Sequence, residues 1–342
     1  MLDTLKTLCY LKGVSGYEDE VREYILERVM PYADEVKSDA LGNLIVFKKG
    51  AVHTQQKIML CAHMDEVGLI VTNITDDGYI KFDCVGGIDR RVLIGKKVYV
   101  GDSGILGIIG IKAVHLTKAE ERKNVPEVDD MYIDIGCESK EEAEKIVELG
   151  DYICFDDRIV EFGDGYLKAK AIDDRLGCAV MVKLIESDLP CDAWFAFTVQ
   201  EEIGARGAQV AANAICPDVC LVLEGTSATD VPGTADEKNI CNTGEGIVIP
   251  FIDNGAIYSR EIYAILSKIA EENGIKWQTK RRSAGSTDAK SIQRSGVGVK
   301  TGALSGAIRN IHSPVCVGKI SEFDDQLLVA QKFLEYCAEN SI

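Results

Sequence analysis

The sequence predicts an α/β fold: a mostly parallel sheet sandwiched by helices, interrupted by an inserted β-barrel-like domain. Three observations lead there. Strands alternate with helices in residues 1–66 and again in 165–342, and that alternation implies a largely parallel sheet covered on both faces. Between them, residues 67–164 change to short β-rich segments separated by Gly and Asp turns. Two apolar runs, 58–62 and 193–199, end abruptly in imidazole or acidic side chains, at the strand ends where open α/β sheets bind ligands.

Taken in order, residues 2–12 and 17–30 carry apolar side chains at helical spacing: Leu2, Leu5 and Leu8, then Val21, Tyr24, Ile25 and Val29. Gly13 to Gly16 form a loop between them, with Ser15 placed to cap the second helix. Residues 35–49 read as strands around the turn Leu41-Gly42-Asn43. Residues 58–62 form a wholly apolar strand ending at His63. The inserted segment reads as strands at 69–74, 79–85, 92–100, 105–111 and 132–135. Its one helix, 139–149, opens with Ser139 and Glu142 in capping-box spacing. The alternation then resumes with helix 174–186, strand 193–199, helix 205–213 and strand 219–223 ending at Glu224. Helices 258–272 and 287–294, strands 297–300 and 315–317, and helix 324–339 close the chain.

A length of 342 residues accommodates two domains, or one with an insertion. No apolar run approaches the roughly 20 residues of a membrane span, so no membrane partner is expected. Met1-Leu2-Asp3-Thr4-Leu5-Lys6 shows no basic segment followed by an apolar core, so no secretory signal is expected. A formal charge of −17 argues against nucleic acid, whose phosphates need clustered Lys and Arg. Of twelve cysteines, Cys61, Cys84, Cys154, Cys178 and Cys220 lie inside apolar runs, where a free thiol behaves as a small hydrophobe. Reduced cysteines and a cytoplasmic location follow as expectations. Cys216 and Cys220 form the one tight pair; with no His or second pair beside them, they read as core.

Chemistry concentrates at strand ends. His63, Glu201, Glu202 and Glu224 all stand just past predicted strands, Asp173-Asp174 precede a helix, and His312 lies in the loop before strand 315–317. Adjacent carboxylates in a confined space repel; a divalent metal removes that penalty and leaves one carboxylate free to move protons. Imidazole plus carboxylate without Cys suits Zn, Co or Mn. Four or five such groups exceed the three protein ligands of an open zinc site, which points to two metals sharing a carboxylate. Taken singly, each motif has a plainer reading. His63-Met64-Asp65 suits a hydrogen-bonded structural His, Asp173-Asp174 a helix cap, and Glu201-Glu202 an exposed helix start favoured by the dipole. His53 and His115, with no acidic strand end nearby, read as surface or structural.

Six stretches carry a family resemblance: Ala62-His63-Met64-Asp65-Glu66-Val67-Gly68, Ala171-Ile172-Asp173-Asp174-Arg175, Gln200-Glu201-Glu202-Ile203-Gly204, Ala228-Thr229-Asp230-Val231-Pro232-Gly233, Ser286-Thr287-Asp288-Ala289 and Ile311-His312-Ser313-Pro314. On these the chain resembles the dinuclear-metal aminopeptidases of metallopeptidase family forty-two, the TET aminopeptidases. The resemblance implies a zinc-exopeptidase-like fold, with residues 1–66 and 165–342 as catalytic domain and 67–164 as a dimerisation or oligomerisation domain. It implies that His63 and Glu202 each bind one metal, partnered by His312 and Glu224, with Asp173 bridging. The bond after Asp173 would be cis, Asp65 would set the tautomer of His63, and Glu201 would act as general base. The metals are two divalent ions per subunit, zinc foremost, with Co or Mn as alternatives. Substrates are short peptides, and the assembly is a hollow tetrahedral dodecamer built from dimers, with a simple dimer as the alternative.

Two departures stand out. Glu224 replaces the Asp of many members, and 302–307 lacks a Pro-containing form and reads as a loop close to substrate. A related two-metal deacylase or carboxypeptidase keeps the chemistry on other substrates. A cellulase-like glycoside hydrolase needs two carboxylates but leaves His63 and His312 unexplained.

Overall fold

In the computed structural model, which describes residues 1–156 and 158–342, the chain opens with helices α1 (Leu2–Tyr10) and α2 (Asp19–Val29). Strands β1 (Glu35–Ser38), β2 (Leu44–Lys48) and β3 (Ile58–His63) follow. A second sheet then takes six strands: β4 (Gly68–Ile74), β5 (Ile80–Val85), β6 (Lys97–Val100), β7 (Ile105–Ile111), β8 (Met131–Asp134) and β9 (Tyr152–Phe155). The short helix α3 (Lys140–Ala143) precedes β9. Strands β10 (Val160–Phe162) and β11 (Tyr166–Ala169) return to the first sheet, and helix α4 (Ile172–Glu186) leads to β12 (Ala193–Thr198). Next come α5 (Arg206–Ile215), β13 (Val219–Ser227), β14 (Ile247–Val248), α6 (Arg260–Glu272) and β15 (Trp277–Gln278). The chain ends with α7 (Ala289–Ile292), β16 (Lys300–Arg309), β17 (Cys316–Lys319) and α8 (Ile320–Glu339).

The larger sheet runs β1-β2-β12-β3-β13-β16-β17-β11-β10, with β14 and β15 paired beside β16. Strands β12, β3, β13 and β16 pair in parallel and form its centre; the flanks are antiparallel. Helices cover both faces, which is why β3 is apolar from Ile58 to Ala62. Ile58, Leu60 and Ala62 pack with residues of α1, α2, α4 and α8, whereas Met59 and Cys61 face α5 and α7. The six other strands close into a barrel, β4-β5-β8-β7-β6-β9, around Leu69, Val71, Phe82, Val98, Ile109, Ile133 and Ile153. No helix among the described residues is long and apolar enough to cross a membrane. All twelve cysteines are free.

Four local expectations are corrected. Segment 302–307 is no loop but the middle of β16, paired with β13. Its small residues reflect close packing: a Cβ on Gly302 would stand 2.2 Å from Ile262, and one on Gly306 2.6 Å from Leu176. The helix at 139–149 forms only over Lys140–Ala143; Ser139 caps it, but the Glu142 carboxylate accepts from Glu138 N. The strand at 92–100 begins only at Lys97, because Arg90–Val92 forms a 3-10 turn. Ser15 caps nothing: Glu18 occupies the cap position of α2, and the Ser15 hydroxyl donates to Asp65.

Candidate metal centre and active site

The parallel register brings the strand ends together. Thr198, the last residue of β12, lies beside His63, the last of β3, and the next turn delivers Glu201 and Glu202. Glu224 lies on β13, Asp173 at the start of α4, and His312 in the turn after β16. Asp173 stands between the two histidines. Its Oδ1 is 3.6 Å from His63 Nε2 and its Oδ2 is 3.8 Å from His312 Nε2. Glu224 Oε2 completes the first group, 3.7 Å from His63 Nε2, and Glu202 Oε2 the second, 3.2 Å from His312 Nε2. Gly225 permits the close approach of Asp173, since a Cβ there would fall 2.9 Å from Oδ1. The peptide between Asp173 and Asp174 is cis. Asp174 also comes within ligand reach of His63 and Glu224, but its oxygens already accept from the amides of His63 and Gly177.

Each imidazole is fixed by a backbone carbonyl. His63 Nδ1 is 3.0 Å from Asp65 O, and His312 Nδ1 is 2.8 Å from Gly87 O, in the loop after β5. A carbonyl only accepts, so each Nδ1 carries the proton and each Nε2 keeps its lone pair for the centre. The Asp65 carboxylate is farther from His63, at 3.4 Å, and does something else. It accepts from Glu201 N at 2.9 Å, Glu202 N at 3.1 Å and Ser15 Oγ at 2.6 Å. Left-handed backbone at non-glycine residues gathers nearby, at Ala171, Gln200, Ala205, Asn310 and His312. Such conformations concentrate at functional sites.

Burial pushes Glu202 and Glu224 well above the ordinary carboxylate range, and neighbouring carboxylates push in the same direction. Burial likewise lifts Glu201 to about 8. Such a cluster needs positive charge, and two imidazoles with three carboxylates and no thiolate form a donor set for hard or borderline divalent ions. The residues therefore fit a pair of metals. Glu201 Oε1 is buried and has no hydrogen-bond partner among the described residues; Lys290 Nζ is 3.7 Å away.

A cavity of about 480 Å³ opens onto His63, Asp173, Glu201, Glu202, Glu224 and His312. Its walls also carry Lys290 and Lys280. Lys280 is 4% exposed, and among the described residues its ammonium donates only to Ala284 O, at 3.3 Å. Behind the centre, buried Glu66 pairs with Lys170 and Arg175, whose donors also hold the carbonyls of Leu8, Leu11 and Met64. His63, Asp173, Glu201, Glu202, Glu224 and His312 thus line one cavity, with Asp65 buried behind the turn that carries Glu201 and Glu202. His53 and His115 lie elsewhere on the surface, His53 against Asp192. The sequence reading missed Glu18, Asn43, Gly87, Lys280 and Lys290. For Glu18, the dense polar loop Ser15-Gly16-Tyr17-Glu18 was an available signal.

Known proteins resemble this chain in sequence and fold. The family model described as M42 glutamyl aminopeptidase matches residues 42–327. A protein of Acetivibrio thermocellus, provisionally named an aminopeptidase, is 40% identical, covering 95% of this chain and 96% of its own. The TET1 peptidase of Pyrococcus horikoshii, described as assembling into a tetrahedron or a large octahedral shell, superposes with a TM-score of 0.86 at 37% identity, covering 97% of this chain and 98% of that one. A structure from Thermotoga maritima titled an endoglucanase superposes with a TM-score of 0.81 at 33% identity, over 98% of this chain and 97% of that one.

Proposed function

The chain belongs to the peptidase M42 family of aminopeptidases, and from that premise we propose that it removes N-terminal residues from short peptides, using two divalent metals and Glu201 as general base. The observation that carries this reading is Asp173, whose two oxygens face two different His–Glu pairs beside the unpartnered oxygen of Glu201. His63 and Glu224 would hold one ion, His312 and Glu202 the other, and Asp173 both. When bound, such ions polarise the scissile carbonyl and lower the pKa of the attacking water; zinc suits the donor set, as do Co and Mn. Glu201 takes the water's proton and returns it to the leaving amine nitrogen. Its burial supports this role, because a carboxyl held near neutrality both accepts and releases a proton at working pH. Asp65 holds the amides of Glu201 and Glu202, so it acts by aiming the base.

The cavity also bears on the substrate. A buried ammonium with one carbonyl partner is costly unless an anion joins it. Lys280 therefore favours a first residue with a carboxylate side chain, in keeping with the glutamyl description of the family. Residues 67–164 serve as the assembly unit, consistent with exposed Leu106, Ile108, Val114, Leu116 and Leu149. The assembly is a homo-oligomer, a dodecamer built from dimers, in keeping with a TET1 relative described as a dodecamer, and the twelve free thiols suit a reducing cytoplasm.

A free-amine peptide and its N-acetylated twin, each tested with and without chelator, check this reading. Shortening of the free-amine peptide alone, from its N-terminus and only with metal, is expected. Equal cutting of the twins would point to a deacylase or carboxypeptidase. Metal-independent cutting of cellulose chains would favour the endoglucanase reading suggested by the Thermotoga title.

A further inference from the structure

Four consecutive backbone amides follow the end of β12, and each donates to a side chain. Val199 N donates to Asn43 Oδ1 at 3.0 Å, Gln200 N to Glu18 Oε1 at 3.2 Å, and Glu201 N and Glu202 N to Asp65. The segment that delivers both site carboxylates is thus held at its amides by side chains from three distant parts of the chain. Its critical residue is Gln200, left-handed at φ 58° and not glycine. A non-glycine residue stays in that region only where its surroundings enforce it.

Glu18 is the group that meets it. It stands at the cap position of α2, yet its side chain caps no helix amide. Instead Oε1 accepts from both Gly16 N, at 2.8 Å, and Gln200 N. The residue is 4% exposed, and no cation pairs with it among the described residues. Burial lifts its carboxyl to about 7, and the Asp65 charge adds to the lift. An unpaired buried carboxylate is a poor choice for stability alone.

We propose that Glu18 is a positioning residue for the reaction: by accepting from Gln200 N it fixes the left-handed turn that aims Glu201 into the cavity. The proposal rests on Glu201 being the base. Without the acceptor, the part-buried Gln200 amide is left unpaired, and the turn relaxes towards right-handed backbone, swinging the next residue. A misplacement of about 1 Å in a reacting group costs on the order of 10²-fold in rate.

The test compares Glu18→Leu, Glu18→Asp and Glu18→Gln in the full, metal-loaded protein, reading kcat, KM, bound metal and melting temperature. Leu removes the acceptor and Asp withdraws it by one methylene. Both should lower kcat about 10- to 100-fold, with KM within about threefold and metal content unchanged. Gln keeps one carbonyl oxygen, enough for both amides, and should retain kcat within about threefold. A folded, metal-loaded Leu or Asp variant with wild-type kcat would overturn the proposal, as would a Gln variant as impaired as Leu. Should Leu fail to fold, the Asp and Gln pair decides. Glu201→Gln serves as control: if it stays fully active, the base assignment falls, whatever the Glu18 variants show.

Discussion

The barrel and the large sheet treat charge in opposite ways. Among the described residues of 67–164, no charged side chain is buried; the barrel core is Leu, Val, Ile, Phe, Met and Ala. The large sheet buries His63, Asp65, Glu66, Lys170, Asp173, Asp174, Arg175, Glu201, Glu224 and Asp288, all around the ends of its central strands. The barrel in turn exposes Leu106, Ile108, Val114, Leu116 and Leu149. The same chain can evidently close a core without buried charge, so buried charge at one edge of the sheet is not a requirement of folding. Each region departs from the usual distribution in its own way: charge inside at the strand ends, apolar surface outside on the barrel. Contacts between the two include a hydrogen bond at the centre itself, from His312 Nδ1 to Gly87 O of the loop that follows β5.

Breaking this contrast at the sheet should have the largest effect. Glu201→Gln should lower kcat by about 10²- to 10⁴-fold with bound metal unchanged, read by steady-state kinetics and elemental analysis. A matching loss of metal would show that Glu201 is a ligand instead. His312→Ala should abolish one of two metal equivalents and leave the other, whereas substitutions of exposed barrel residues should release neither; elemental analysis of dialysed protein decides.

A smaller effect concerns pH. The Glu18 carboxyl rises from an ordinary 4.5 to about 7 on folding, so the folded state binds its proton more tightly than the unfolded chain. That stabilisation is complete below about pH 4.5 and lost as pH rises through about 7. Glu18→Gln has no such loss. Its stability relative to wild type should therefore climb across this window, by on the order of 1–3 kcal/mol, and then level off. Denaturant melts at pH 4.5, 6 and 8 would show it, and a flat difference would refute it. The smallest effect belongs to the barrel surface. Leu106→Glu with Ile108→Lys should dissociate the assembly in light scattering yet change dipeptide hydrolysis per chain by less than about twofold, since neither residue faces the cavity.

Much of the centre was legible because a strand end is a local signal. An apolar run that stops at His63, at Glu201-Glu202 or at Glu224 announces both the strand and the edge it feeds. The contacts that orient these residues were not legible, because they span the chain. Gln200 meets Glu18 across 182 positions, and His312 meets Gly87 across 225. Ser15 looked like a cap because it precedes a helical pattern; in three dimensions its hydroxyl serves Asp65. Small residues at 302–307 mimicked a loop, although their smallness answers the side chains of Ile262 and Leu176 packed against the strand. Lys280 gave no signal at all, since nothing in its neighbours foretells that its ammonium is buried beside the cavity.

A two-ion centre organised around Asp173 is the proposed reason for the buried charge at the strand ends. Titrating metal-free protein with zinc, while following both bound metal and cleavage of a free-amine peptide, tests it most directly. The account predicts saturation at two ions per chain with activity completed by the second, and no tight two-ion binding in Asp173→Asn. Full activity at one ion per chain, or an Asp173→Asn protein that still binds two ions tightly, would contradict it.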